Sequence, residues 1–259
     1  MNIQGGNVQE AIINNNIWAP DETCILYNIL KNNSTGMVVD IGANTGYFSL
    51  ISLAMNHPVI SVEPNIIHLQ YLLDSIKQNN FNSSNIACHQ SFISNKNEPI
   101  LFDGWSGYNG IYNGCKNSEY VHPIKFTDLC KDALFVKIDV EGAEPEVLES
   151  MRPLLSKEDS FPYIMFEITY IINNKIDNEQ VVMLQKLIKD NYNLYEIIPG
   201  KLIYISNIDE KINIWKNEYF NHHKIYSPSI TSGGSNLLAV KNGFNIPFIK
   251  SGKNDYLLI

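Results

Sequence analysis

The stretch Met37-Val-Val-Asp-Ile-Gly-Ala-Asn-Thr-Gly-Tyr47 decides how the rest of the chain reads. Met37, Val38, Val39 and Ile41 form a short apolar run with the character of a strand buried on both faces. The run gives way to Gly42 and Gly46, and an apolar-periodic segment, Phe48 to Ala54, follows directly. A strand, a glycine turn and a helix start together let a ligand approach bare backbone N–H groups. Gly42 to Gly46 is therefore the expected seat of a nucleotide-type cofactor.

Working outward, Thr45 is placed to cap a helix running to about Asn56. Val59 to Glu63 reads as a second strand that ends on an acid. Pro64, at a first helical position, opens a helix from Asn65 to about Asn79, with Leu69, Leu72 and Ile76 at helical spacing. Ile86 to Phe92 is a third strand, and the alternation predicts right-handed crossovers in a doubly wound sheet. Ahead of all this, Asp21 is a candidate cap for a helix carrying Cys24, Ile25, Ile29 and Leu30 on one face. Residues 1–36 form a leader well placed to cover a site.

Beyond the third strand the rhythm breaks. Ile100-Leu-Phe is a short strand candidate, and Gly104 to Gly114 is a glycine- and aromatic-rich loop of the kind that carries function. Leu134 to Asp139 and Tyr163 to Ile168 are the fourth and fifth strands, separated by a helix that contains Val147, Leu148, Met151, Leu154 and Leu155. An amphipathic segment spans Asn178 to Lys189, and Pro199-Gly200, flanked by Leu194 to Ile198 and Leu202 to Ile205, reads as a hairpin or as a strand entered from a turn. Residues 207–232 are polar, with tyrosine and histidine, and Ser235 to Val240 is a last strand. No repeat or linker divides the 259 residues, so one domain is expected: a leader over 1–36, a cofactor-binding core over 37–206 and a C-terminal strand with its extension over 207–259.

Composition narrows the function classes. With 44% hydrophobic and 18% charged residues the chain has a globular balance. A net charge of -8, with no run of Lys or Arg, argues against nucleic acid as the main partner. Four dispersed cysteines without a CxxC pair read as free thiols in a reducing, cytoplasmic compartment, and no metal is called for. No segment reads as a signal peptide or a membrane span; Tyr163 to Ile172 is too short and holds Glu167.

In an open parallel sheet, ligands sit beyond the carboxyl ends of the strands. Here those ends supply Asp40, Glu63, the trio Lys137, Asp139 and Glu141, and Glu167. Glu63 follows the glycine turn by about 20 residues, the separation of an acid that accepts from both hydroxyls of a ribose. The turn is not GxGxxG, and no GxxxxGK[ST] occurs. Asn44 stands where a pyrophosphate-binding turn has its second glycine, and asparagine tolerates a left-handed backbone. Both points weigh against NAD and ATP.

Four segments, VVDIGANTGYFSL (38–50), SVEPN (61–65), VKIDVEGAEPEVL (136–148) and FEI (166–168), together resemble the FkbM-type family of class I S-adenosylmethionine-dependent methyltransferases. The resemblance covers about Val38 to Ile168, with a weaker extension to Asn236-Leu-Leu-Ala-Val240. It implies an α/β class I methyltransferase fold, Rossmann-like and doubly wound, with a mostly parallel seven-stranded sheet and one antiparallel strand. It also implies S-adenosyl-L-methionine as cofactor and O-methylation of a saccharide or secondary-metabolite hydroxyl. Asp40, Gly42, Ala43, Asn44 and Gly46 would receive the methionine end of the cofactor, with Asp40 near its ammonium. Glu63 would hold the ribose, Pro64 and Asn65 would shape that wall, and Ser91 and Phe92 would lie near adenine. Asp139 and Glu141 would face the methyl-transfer centre, with Lys137 offsetting their charge.

Each residue has a plainer competitor. Asp139 has the position of a cap for the helix near Ala143, and Glu141 and Glu144 are favourable charges at a helix start. Glu167 stands in a very apolar run, where a lone carboxylate needs a partner, so it is a candidate substrate-facing group. Trp105, Tyr108 and Tyr112 could stack on a sugar or pack on the core; His122, His222 and His223 read as surface residues. The competing functions are an NAD-dependent oxidoreductase, which predicts a GxGxxG turn, and a non-catalytic module that binds S-adenosylmethionine without turnover. An RNA 2′-hydroxyl methyltransferase shares the chemistry, but the acidic balance disfavours it.

Overall fold

A computed structural model describes residues 12–102, 119–157, 161–172, 175–226, 233–252 and 255–258. The apolar runs become β1 (Val38–Ile41) and β2 (Val59–Val62), each buried along its whole length. Between and around them lie α1 (Pro20–Lys31), α2 (Tyr47–Ala54) and α3 (Ile66–Gln78). Next come β3 (Ile86–His89), β4 (Phe92–Ile93), β5 (Ile100–Phe102), β6 (Glu119–Val121), β7 (Pro123–Ile124) and the single turn α4 (Phe126–Leu129). Then follow β8 (Phe135–Ile138), α5 (Glu144–Leu155), β9 (Tyr163–Ile172), β10 (Lys175–Ile176) and α6 (Asn178–Lys189). The chain continues through β11 (Tyr192–Ile198), β12 (Lys201–Tyr204), α7 (Ile208–Tyr226), β13 (Gly233–Lys241), β14 (Ile249–Lys250) and β15 (Asp255–Leu257).

One mixed sheet runs β14-β15-β12-β11-β13-β9-β8-β1-β2-β3. Its centre, β3-β2-β1-β8-β9, is parallel. β13 enters between β9 and β11, antiparallel to both, but the single antiparallel strand expected is exceeded, since β10, β12, β14 and β15 also pair antiparallel to their neighbours. The strand count differs from expectation: the sheet has 11 strands rather than seven. Antiparallel β10, β12, β14 and β15 extend it, because the hairpin at Pro199-Gly200 offers an edge on which β15 and then β14 pair.

Both faces are covered. α1, α2 and α3 lay Leu26, Ile29, Phe48, Leu53 and Leu72 on Val38, Phe135, Met165 and Leu238. α5, α6 and α7 cover the other face, with Met151, Leu184 and Trp215 among Val39, Val136, Ile164 and Ala239. The strand period of two makes this possible, since alternate residues of every central strand face opposite layers. Several local expectations change. The third strand is broken: β4 leaves the sheet and pairs with β7, where Ser91 Oγ donates to the carbonyl of His122 at 2.7 Å. Residues 207–232, read as merely polar, contain α7, and Ser235 to Val240 is not the last strand.

Helix starts differ too. Thr45 is not a cap: Gly46 precedes α2 in a left-handed conformation with no side-chain bond. α3 is capped by Asn65, whose side chain accepts from the amide of Ile67 at 2.9 Å, so Pro64 lies outside the helix. Asp21 falls within the first turn of α1, with Ala19 at the cap position, and instead accepts from the amide of Gly200 at 3.0 Å.

Candidate functional site

The sheet changes winding direction between β1 and β8, and the turns after these two strands meet there. Their approach is close enough to dictate sequence. A Cβ on Gly42 would stand 1.8 Å from the carbonyl oxygen of Asp139, and Gly42 has φ 75°. Asn44 is left-handed at φ 50°, as its sequence position suggested.

The expectation of bare amides in this turn is overturned. Gly42 and Ala43 donate to the carbonyl of Val62 at 2.9 and 3.1 Å, and Gly46 donates to Ala43 at 2.8 Å. The Asn44 amide donates to Glu63 Oε2 at 2.8 Å, and Thr45 donates to Asn44 Oδ1 at 2.7 Å. Every N–H from Gly42 to Gly46 thus has an internal partner, and the turn is no anion nest. Glu63, 4% exposed, is held by these bonds: its second oxygen accepts from the Asn65 amide at 2.9 Å. A carboxylate accepts about four hydrogen bonds, so lone pairs remain for ligand hydroxyls.

Register places the acids. Glu63 follows Val62 directly, and one step beyond the Ile41–Ile138–Phe166 row stand Gly42, Asp139 and Glu167, with Asn236 opposite Glu167 on β13. One step below, in the same α1–α3 layer, are Asp40 and Lys137. A cavity of about 540 Å³ opens at this edge. Gly42, Ala43, Asn44, Glu63, Pro64, Ser91 and Phe92 line it, facing Lys137, Asp139 and Glu141.

Asp40, Gly46, Asn65 and Glu167 are not among the lining residues. Asp40 is fully buried beneath the turn, where Oδ2 accepts from Ser49 Oγ at 2.6 Å while Oδ1 has no partner among the described residues. Burial raises its pKa, with Lys137 and the Ser49 hydroxyl opposing. Gly46 packs against Leu72 and Asn65 serves as a cap, so both shape the site from behind. Trp105 and Tyr108, the aromatic substrate candidates, lie outside the described residues, as do Tyr112 and the side chains of His222 and His223. His122 is exposed.

Lys137 Nζ lies 3.0 Å from Asp139 Oδ2 and 4.9 Å from the Phe48 ring centre. Burial works against its charge, but Asp139, Asp40 and Glu167 outweigh burial and raise its pKa, keeping it protonated. The Glu141 pKa is raised by burial and by the charges of Asp139 and Glu144. Glu167 is pushed up to about 7 by burial and then by Asp139, Glu141 and Glu144, with Lys137 opposing. Asp139 does not cap α5; Ala143 holds that position without a side-chain bond.

Several contributors were not anticipated from the sequence. Trp18 and Tyr47 line the cavity, and Tyr47 Oη accepts from the Trp18 amide and Thr23 Oγ1 at 3.2 and 3.3 Å. Glu22 of α1, its pKa raised by burial, accepts from Asn236 Nδ2 at 2.7 Å. Ile100, Leu101 and Phe102 of β5 close another side. Their only sequence signal was a short apolar run; for Trp18 there was none beyond its place before the first strand. Among the described residues there is no cluster of side chains suited to a metal ion, and no helix is long and apolar enough to cross a membrane.

No protein-family model matches the chain, and no curated protein matches it. Solved structures do resemble it. The FkbM methyltransferase of Methylobacillus flagellatus is 16% identical over 80% of this chain, with a TM-score of 0.47; the match spans 44% of that protein's length. Precorrin-6y C5,15-methyltransferase of Geobacter metallireducens is 12% identical over 85% of this chain and 88% of its own, with a TM-score of 0.45. An rRNA methylase of Streptococcus thermophilus is 11% identical over 87% and 98%, with a TM-score of 0.46. Likenesses at this level do not decide a function.

Proposed function

We propose that this chain is an S-adenosylmethionine-dependent O-methyltransferase of the FkbM type, acting on a hydroxyl of a saccharide or secondary metabolite through a single domain. One observation carries the reading. The cavity at the β1–β8 switch is walled by Glu63, Asp139 and Glu141, while the turn that would cradle a pyrophosphate has no free amide. That donor set suits a cation bearing a diol and disfavours a dinucleotide, whose phosphates need N–H donors.

S-adenosylmethionine, when bound, supplies a methyl group activated by its sulfonium charge. Glu63, oriented by the amides of Asn44 and Asn65, accepts from the ribose hydroxyls. Pro64, Ser91 and Phe92 border the adenine end. Lys137 pairs with Asp139 at 3.0 Å and offsets its charge on the wall that faces the cationic donor. The acceptor hydroxyl must lose its proton as the methyl–oxygen bond forms and the sulfur leaves neutral. Glu141, which lines the cavity and whose pKa is raised, is the carboxylate suited to take it.

Titration calorimetry with S-adenosylhomocysteine and with NAD tests the cofactor. Saturable binding of the first, weakened roughly tenfold or more by Glu63→Ala, is expected. Binding of NAD instead, or no binding of either, overturns the reading. Methyl transfer from labelled S-adenosylmethionine to sugar and metabolite fractions then separates an enzyme from a binding module.

A further inference from the structure

The wall of the cavity opposite the glycine turn is one continuous segment, Asp139 to Ala143. Its backbone is unusual: Glu141 has φ 54° and Gly142 has φ 104°, two left-handed residues in succession. A residue with a Cβ enters that conformation only when its surroundings fix it. What fixes it here is a side chain outside the cavity lining. Glu144, 1% exposed, turns back from the first position of α5, and its Oε1 accepts from the amides of Val140 at 3.2 Å and Gly142 at 3.1 Å. The Asp139–Val140 and Glu141–Gly142 peptide units are thereby tied to a single oxygen.

The other oxygen is tied in turn. Gln180 of α6, fully buried, donates from Nε2 to Glu144 Oε2 at 3.3 Å and to the carbonyl of Gly142 at 3.4 Å. On the opposite side, the missing Cβ of Gly42 lets the turn after β1 press directly on the Asp139 carbonyl. The segment is therefore clamped from the front by Gly42 and from behind by Glu144 and Gln180.

We infer that Glu144, backed by Gln180, is a positioning residue that holds Glu141 in its left-handed conformation and so aims the Asp139–Glu141 carboxylates into the cavity. An ordinary first-turn acid does not account for this. Such a residue serves the free amides of its own helix, whereas Glu144, besides its own amide, bonds to amides two and four residues before it. The inference rests on the cofactor reading above only for its functional consequence; the clamp itself is a property of the backbone.

The test compares Glu144→Ala, Glu144→Gln and a control, Met151→Ala, which opens the core of α5 away from the cavity. Glutamine keeps an oxygen for the two amides, and its new N–H can meet Gln180 Oε1, which has no partner among the described residues. S-adenosylhomocysteine affinity is measured by calorimetry beside thermal unfolding. Glu144→Ala is expected to weaken binding about tenfold, while Glu144→Gln stays within about threefold of the parent. Met151→Ala is expected to lower the melting temperature yet bind within about twofold.

Binding by Glu144→Ala within about twofold of the parent, or equal weakening in Met151→Ala, overturns the inference. Should the parent chain itself not bind S-adenosylhomocysteine, the cofactor reading fails, and hydrogen exchange at the Val140 and Gly142 amides judges the clamp. Exchange about tenfold faster in Glu144→Ala keeps it, and unchanged exchange removes it.

Discussion

Gly42 is the point where two turns touch, and its substitution isolates that contact. Gly42→Ala combines a left-handed backbone with an overlap against the Asp139 carbonyl, neither of which a side-chain rotation relieves. It should destabilise the fold by about 2–4 kcal/mol, measured by urea unfolding. Glu167 carries a pH signature. Its folded pKa of about 7 lies above the ordinary 4.5, so the native state binds more protons than the unfolded chain between those values. Its contribution to stability is therefore fully present below about pH 4.5 and is lost as pH rises towards 7. Glu167→Gln should remove that loss, and the melting difference between variant and parent should grow across this window and level off above it. The acids at the strand ends were legible because a strand's last residues fall at its carboxyl edge. The internal pairing of the turn's amides was not, since it depends on where the Val62 carbonyl and the Glu63 carboxylate come to rest.

At the scale of elements, α1 does more than precede the sheet. It brings Trp18 against Tyr47 and Glu22 against Asn236, so the leader forms part of the cavity wall. Tyr47→Phe removes an acceptor for the Trp18 amide and should cost about 1 kcal/mol, with faster proteolysis ahead of residue 20 as the sensitive readout. α7 is fastened by a buried polar group: Glu196 on β11 accepts from Trp215 Nε1 at 2.5 Å and Ser235 Oγ at 3.2 Å, and pairs with Lys211. Glu196→Ala leaves Lys211 and the Trp215 indole without that acceptor and should cost about 3–5 kcal/mol by chemical denaturation. The helix itself was poorly legible. Ile208, Ile212 and Trp215 do recur at helical spacing, but asparagine and lysine between them dilute the period. The strands of the parallel centre, by contrast, are uninterrupted apolar runs and could hardly be read otherwise.

For the whole molecule, the alternation of strands and helices up to β9 fixed the winding of the sheet, because right-handed crossovers leave few alternatives. The antiparallel extension was hidden. β12, β14 and β15 are two to four residues long and depend on one another's edges, a cooperative property that no single segment displays. The same topology has a consequence for the order in which the protein is made. Asp21 and Glu22 are synthesised 179 and 214 residues ahead of their partners Gly200 and Asn236. A nascent chain can lay α1 on β1 and α2, through Leu26, Ile29, Val38 and Phe48, long before the partners of its acids have been made. The bond between Glu22 and Asn236 must wait for β13, so α1 is not fully fastened beside the pocket until that strand has emerged. Contacts of such separation also place the final closure among slow folding events, exposing the unroofed apolar edge to chaperones in the interval.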